Sequence, residues 1–456
     1  MNASRQLLIN QHKKSVLVLL GTVLTIALLF SIGFIRVVQA APGVPRDPVR
    51  IYNEDFENNH STSPILLTSY TGVGGVTYTA AAPWLTSCNG EVIYFAMDNS
   101  EFDNSNCSVG DGTNSSGAFD YVRRMAHALG QFGGATDPTL NRALTAYTDN
   151  GNVSVNPGAN LVQLETAQSI NLPNNNRRFL IASLSAASVN CELGSTHPAK
   201  FIFYLLDGSD TRRINQDALN VCTDEQSQQI TPPSLQSNSA TSPSVLPIWV
   251  AKIQTDRALL SQANSVGVRV VNEEGDGIGN DNALDDISIS DASPHLDITF
   301  EPDTVEIDKT SRMTFTVTNT SDLLAKEGWS FTNNLPESLM VAENPDIQTT
   351  CTAGSIIVSE DKRQLAYAGN LNLGQVSCTL TISVTSKTAQ TYINGPALLA
   401  NVVGLQLPED APVTFVPFAP NTGTTNTNFT YYVGIAGAGA IAIGLHRKLK
   451  KLRRRA

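Results

Sequence analysis

Several familiar chemical signatures are missing from this sequence. It has no CxxC pair, which removes zinc-ribbon and dithiol redox chemistry. It has no HExxH and no GxSxG, so neither that type of zinc peptidase nor a nucleophile elbow is written into it. Histidine is scarce, and the four in the middle of the chain (His60, His127, His197, His295) stand singly, as surface or turn residues do. Helical spacing of apolar residues is rare as well: GAFDYVRRMAHALGQF, 117–132, is the one plausible helix. Positive charge is missing from the middle too. Of 30 Lys and Arg, four lie in 1–40 and seven in 423–456, leaving 19 for residues 41–422, which hold all 41 Asp and Glu. A section with a balance of −22 repels phosphates, which argues against nucleic acid as a partner.

Long uncharged apolar runs are absent between 41 and 429 and occur only at the two ends. Residues 1–15 are polar and basic, 16–35 (VLVLLGTVLTIALLFSIGFI) carry no charge, and RVVQAAPG follows with small residues. This is the order of a signal peptide over 1–40, cut after Ala40; an uncleaved anchor is the alternative. At the other end, APNTG (419–423) is followed by a polar spacer, an apolar run and HRKLKKLRRRA. The expectation is a linker over 418–430, a transmembrane helix over 431–445 and a basic cytoplasmic tail over 446–456.

That assembly resembles the cell-wall sorting signal of sortase substrates, usually Leu-Pro-x-Thr-Gly, an apolar span and a basic tail. Pro420, Asn421, Thr422 and Gly423 match, and Ala419 stands where the family has Leu. The resemblance implies cleavage between Thr422 and Gly423 by a sortase and transfer of the Thr422 carbonyl to a peptidoglycan amine. Pro420 presets the chain for an extended groove and Gly423 leaves room for the nucleophile. A plain membrane anchor, with PNTG only a linker turn, is the bland alternative. Both leave the bulk of the protein on the cell surface.

Six cysteines in an exported chain predict disulfides. Sequence neighbours pair most simply as Cys88 with Cys107, Cys191 with Cys222 and Cys351 with Cys378, although six cysteines allow fifteen connectivities. The middle section is too long for one core. Runs rich in Val, Ile, Phe and Tyr, such as EVIYFAM, RFLIASLSAASV, AKFIFYLL and SVGVRVVN, are separated by Gly, Asn, Pro and Ser clusters. They predict an all-β fold, with a large β-sandwich of jelly-roll type over 41–294. After SDASPHLD (290–297) the strands shorten and turn signals come every 8–12 residues or so, the pattern of an immunoglobulin-like sandwich over 295–417.

Six acids fall between Asn272 and Asp286, and neither an EF-hand loop nor a repeated calcium nonapeptide accounts for them. With NEDFEN (53–58) and ALDDI (283–287), the first section resembles jelly-roll ectodomains of the MAM type and related carbohydrate-binding modules. The resemblance implies first and last strands side by side, with structural calcium held by Glu57, Asp285 and Asp286. Its departure is length, with about 230 residues between the two ends. The competing reading is a solvated acidic loop. Residues 296–417, through TVTNTS, FTNNLPESLMV, VSCTLTISVTS and TYING, resemble repeat domains of bacterial surface proteins, with Asn333 where Asp is frequent. The resemblance implies a spacer.

These readings combine into a wall-anchored surface protein that is not an enzyme: an adhesin or lectin-like binder of glycan or partner-cell ligands. A structural stalk or coat without a ligand is the alternative. A surface glycan hydrolase is a second, because two carboxylates suffice for it. Trp84, Trp249 and Trp329 could stack on sugar rings, although core burial is the commoner fate of tryptophan.

Overall fold

The computed structural model describes residues 41–418, apart from 59, 86–87, 109–115, 149–158, 168–169, 174–176, 190, 192–196, 234–246 and 276–279. The leader, the sorting motif Ala419–Gly423, the 431–445 span and the basic tail lie outside the described residues. Among the described residues, no helix is long and apolar enough to cross a membrane.

The fold is nearly all β. Between Val49 and Asp291 the chain builds a nine-stranded and a six-stranded antiparallel sheet. They face each other over one apolar core: Leu144, Leu180, Leu184 and Leu284 come from the larger sheet, Leu164, Phe203, Val268 and Val270 from the smaller. The first strand, Val49–Glu54, pairs antiparallel with the last, Asn282–Asp291, with Val49 opposite Asp291 and Glu54 opposite Ile287.

A helix, Ser116–Gly133, makes a third layer. Phe119, Val122, Met125, Ala126 and Leu129 recur at helical spacing and meet Ile93, Ala143, Ala187, Val250 and Ala283 on the back of the nine-stranded sheet. The helix stops at Gly133 and Gly134, the latter at φ +73°, where the Ala135 amide returns to the Gly130 carbonyl at 2.9 Å. Its central neighbour, Phe179–Ser188 (FLIASLSAAS), is buried at all ten positions. Leu180, Ala182, Leu184 and Ala186 fill the sandwich core, while Ala187 on the other side packs in the helix layer.

From His295 to Val416 the strands form sheets of five, three and four, none shared with the first section. Their core centres on Phe315, Phe331 and Tyr367, with ring centroids 4.7 to 5.1 Å apart, over a fully buried Trp329. Cys351 and Cys378 are bonded, as are Cys88 with Cys107 and Cys191 with Cys222. The Cys351–Cys378 bridge ties the start of strand Thr352–Val358, in the four-stranded sheet, to strand Ser377–Ser386 of the five-stranded one.

The two sections share a core residue. Phe179, on a strand of the first section, is buried in the aromatic core of the second, where Ala258 and Leu260 pack beside it. Gly404 sits against it so closely that a Cβ would lie 2.6 Å from Phe179 Cε2, and its φ of +65° also favours glycine. Buried Arg178 donates to the Leu405 carbonyl at 2.9 Å and lies 3.7 Å from Asp291. The Gly404 amide meets the Arg177 carbonyl, and the Ser321 amide meets that of Arg46.

Candidate functional site

The sequence singles out Glu57, Asp285 and Asp286, and strand pairing brings them together in the middle of the last strand, between the end of the first strand, where Glu54 lies opposite Ile287, and strand Arg142–Ala146, whose Leu144 lies opposite Leu284. Glu57 follows the first strand through Phe56, a buried aromatic held at φ +56°. A bulky residue rarely adopts that conformation. Here the Phe56 amide is fastened to the Glu54 carboxylate at 2.7 Å. Asp285 and Asp286 lie where the last strand shifts register, with Asp286 at φ +48° and its amide donating to Asp285 Oδ1 at 2.7 Å.

Two residues without a sequence signal complete the cluster. Arg142 gives its amide to Glu57 Oε1 at 2.6 Å and its guanidinium to Glu57 Oε2 at 3.0 Å, while stacking 4.6 Å over the Tyr94 ring. Asn141 gives its side-chain amide to Asp285 Oδ2 at 2.9 Å. Gly130 on the helix allows that approach, since a Cβ there would come within 2.5 Å of Asn141. Burial first, then the charges of Asp286 and Glu57, push the Asp285 carboxyl well above the usual carboxylate range, against the pull of Asn141 and the Asp286 amide.

The arrangement therefore holds three carboxyl groups and one guanidinium. Both Glu57 oxygens are already occupied by Arg142, so a calcium ion would displace or neighbour that cation rather than enter an open cage. Among the described residues, no three or more His, Cys, Asp or Glu side chains are gathered closely enough to hold a metal by themselves. The chemistry suits a cation, because negative charge is in excess; the enclosure is incomplete.

Apart from these, the Glu54 carboxylate is fully buried in a cage of donors: the Phe56 and Val73 amides, the Tyr70 hydroxyl at 3.0 Å and the Tyr78 hydroxyl. Burial, reinforced by the Glu54 charge, pushes the Tyr70 hydroxyl upward. The cage fastens residues 70–78 to the first strand. In the second section, a cleft of about 460 Å³ lies beside strand His295–Glu301, lined by Ala41, Pro42, Asp297, Asp303, Glu409 and Asp410 among others. Trp84 and Trp329 are buried, and Trp249 is half-buried against the sandwich core. His60 is exposed, His127 packs edge-on to Phe95, His197 faces Glu274 and His295 faces Asp297.

Residues 294–411 match the family model of a domain of unknown function (DUF7933). No curated protein matches the chain. Among solved structures, it is similar to the N-terminal domain of the Streptococcus gordonii adhesin Sgo0707, at 10% identity and a TM-score of 0.29, over 56% of this chain and 61% of that one. The collagen-binding domain from a Staphylococcus aureus adhesin matches 27% of this chain and 99% of its own, at 10% identity and TM-score 0.20. The C-terminal domain of the Streptococcus pyogenes antigen I/II-family protein AspA matches 57% of this chain and 93% of its own, at 11% and 0.20. The chain thus spans less than two thirds of the Sgo0707 structure.

Proposed function

We propose that the protein is a cell-surface, wall-anchored binding protein, with residues 41–294 as the outer, ligand-facing domain and 295–417 as its stalk. The observation that carries this reading is the junction: an outer-domain phenylalanine completes the stalk's core, and a buried arginine spans the seam. A joint of that kind holds an outer domain at one orientation, which suits presentation from a surface. Three disulfides that use every cysteine suit an oxidising, extracytoplasmic location. The sorting signal at Ala419–Gly423 supplies the anchor, with a sortase and peptidoglycan as partners and the membrane span as the holding site before cleavage.

Calcium belongs to this proposal as a structural ion: Glu57, Asp285 and Asp286 would supply its carboxylate oxygens beside Arg142. The ligand class is a glycan or protein of a partner surface. A ligand-free coat or stalk is the second reading, favoured by the packing of all three tryptophans against cores rather than on an open face. Binding of the exported protein to a glycan array or to whole cells separates the two. Polysaccharide turnover lost on a single carboxylate substitution would point instead to a hydrolase.

Anchoring is tested by fractionation. Wild type should resist detergent and be released by digestion of the wall, while Thr422→Ala should move to the detergent-soluble membrane fraction. Wild type recovered wholly in detergent with its basic tail attached would reject transpeptidation.

A further inference from the structure

The sheets of this chain end mostly in strands that are guarded against pairing with another chain. Asp210–Arg213 carries Asp210, Arg212 and Arg213, and His295–Glu301 carries Asp297 and Glu301. Leu399–Val403 is kinked at Asn401, φ +52°, where its register against Lys326–Asn334 shifts. Charge, kinks and shortness are the usual means of blunting an exposed edge. Strand Thr352–Val358 (TAGSIIV) is different. It ends the four-stranded sheet and, among the described residues, pairs only with Gln364–Leu371. Its register shift lies before Ser355, and from Ser355 to Val358 it has neither a charge nor a proline. Ile357 on this stretch is 66% exposed.

The ladder fixes which backbone groups face outward. The Ser359 amide donates to the Gln364 carbonyl at 2.9 Å, which marks those two residues as a hydrogen-bonded pair. Antiparallel ladders alternate, so Ile357 with Ala366 and Ser355 with Ala368 are bonded pairs as well. The amides and carbonyls of Ile356 and Val358 therefore point off the sheet. The same strand of a second copy, laid antiparallel, fits them: Ile356 of each copy falls opposite Val358 of the other, and each such pair exchanges both its backbone bonds. The two-fold axis then passes Ile357, which meets its own counterpart in a non-bonded pair, where side chains come closest. Residues 295–417 hold 14 Asp and Glu against 6 Lys and Arg, so two copies repel each other in general. Along this edge no charge is opposed to another.

We propose that Thr352–Val358 is a self-recognition edge, through which the four-stranded sheet of one copy continues into that of a second copy. The direction of the strand says how the two copies lie. Thr352 is opposite Asn370 and Asn370 opposite Glu327, beside Gly328, where a Cβ would lie 4.0 Å from Leu260 of the outer domain. Val358, at the other end, is level with Leu365 and Asn333. The Thr414 amide bonds the Asp303 carbonyl, beyond the far end of His295–Glu301, so the chain leaves the stalk on the side away from the outer domain. Antiparallel pairing therefore sets the two outer domains at opposite ends of the joined sheet. Copies held by their C-terminal ends on facing surfaces meet in this way, and that use of the edge rests on the wall-anchored reading. Each contact is small, so it gains strength where many copies face one another.

The test uses the exported protein as wild type, Ile357→Cys, Ile357→Lys and Ile393→Cys. Ile393, 55% exposed on the edge strand Thr391–Asn394, is the control for chance collision. Opposed Cβ atoms in such a pair lie within disulfide reach, so under mild oxidation Ile357→Cys should join two copies roughly tenfold faster than Ile393→Cys. Beads carrying wild type by its C-terminal end should clump, and beads carrying Ile357→Lys should stay dispersed. Position 357 lies in solvent, so both of its variants should match wild type in circular dichroism. Equal cross-linking at the two positions, or clumping that Ile357→Lys leaves unchanged, overturns the proposal. Fast cross-linking at position 357 with dispersed wild-type beads keeps the pairing and overturns its use between facing surfaces. Clumping beads together with a wild type that stays in the detergent fraction support the edge and reject the wall anchor alone.

Discussion

The outer domain and the stalk are both β-sandwiches, yet their strands carry burial in different rhythms. Ser377–Ser386 in the stalk alternates half-buried and buried at every one of its ten positions. Phe179–Ser188 in the outer domain is buried at all ten. A strand with water near one face needs apolar side chains only at every second position. A strand with a sheet on one face and a helix on the other has no such face to spare. The difference shows which section has two layers and which has a third laid over it. It also shows where a strand of the middle layer can carry a residue for a second core: Phe179 opens the strand and packs in the core of the second section.

The coupling is most strongly challenged by Phe179→Ala. Removing a buried phenylalanine costs about 3–5 kcal/mol. The cavity should appear in the stalk although the residue belongs to the outer domain, and calorimetry should show the two sections melting apart. Next comes the Cys351–Cys378 bridge. Replacing both cysteines by alanine should cost about 2–5 kcal/mol. In wild type this lowers one shared transition; on the Phe179→Ala background it should lower the stalk's transition alone.

A smaller effect is expected at the buried hydroxyl pair Ser183 and Ser288, 2.8 Å apart on neighbouring strands of the outer domain. Ser183→Ala leaves its partner unbonded and should cost about 1–3 kcal/mol, whereas the double alanine variant should recover part of that in chemical denaturation. The smallest effect is on acid stability. Burial holds the His127 imidazole below its ordinary value, against the pull of Asp137. The unfolded chain therefore takes up a proton, near pH 6.5 and below, that the folded chain resists. This contribution is fully present above that range and is lost as pH falls, until the folded histidine also protonates. His127→Phe should flatten the acid-side decline of the shared transition, and on the Phe179→Ala background it should flatten that of the outer domain alone.

Much of the stalk was legible because CTLTISVTS and RMTFTVTN carry their alternation in the letters. The helix was legible for the same reason, its spacing over 117–132 falling within Ser116–Gly133. The neighbour pairing of the cysteines needed only that each pair flank a short excursion. The partners at the acidic cluster were not legible. Arg142 sits in TLNRALTAY, a run with no charge pattern, and reaches Glu57 only because its strand pairs with the last strand. Phe179 looks like any core phenylalanine until the fold places a second core beside it.

The account stands on the outer domain and stalk acting as one body through the Phe179 seam, and calorimetry of the full chain tests this most directly. It expects a single cooperative transition for wild type spanning both sections, resolved into two by Phe179→Ala, with the stalk's midpoint lowered. Two independent transitions in wild type, or a Phe179→Ala variant whose stalk melts unchanged, would contradict it.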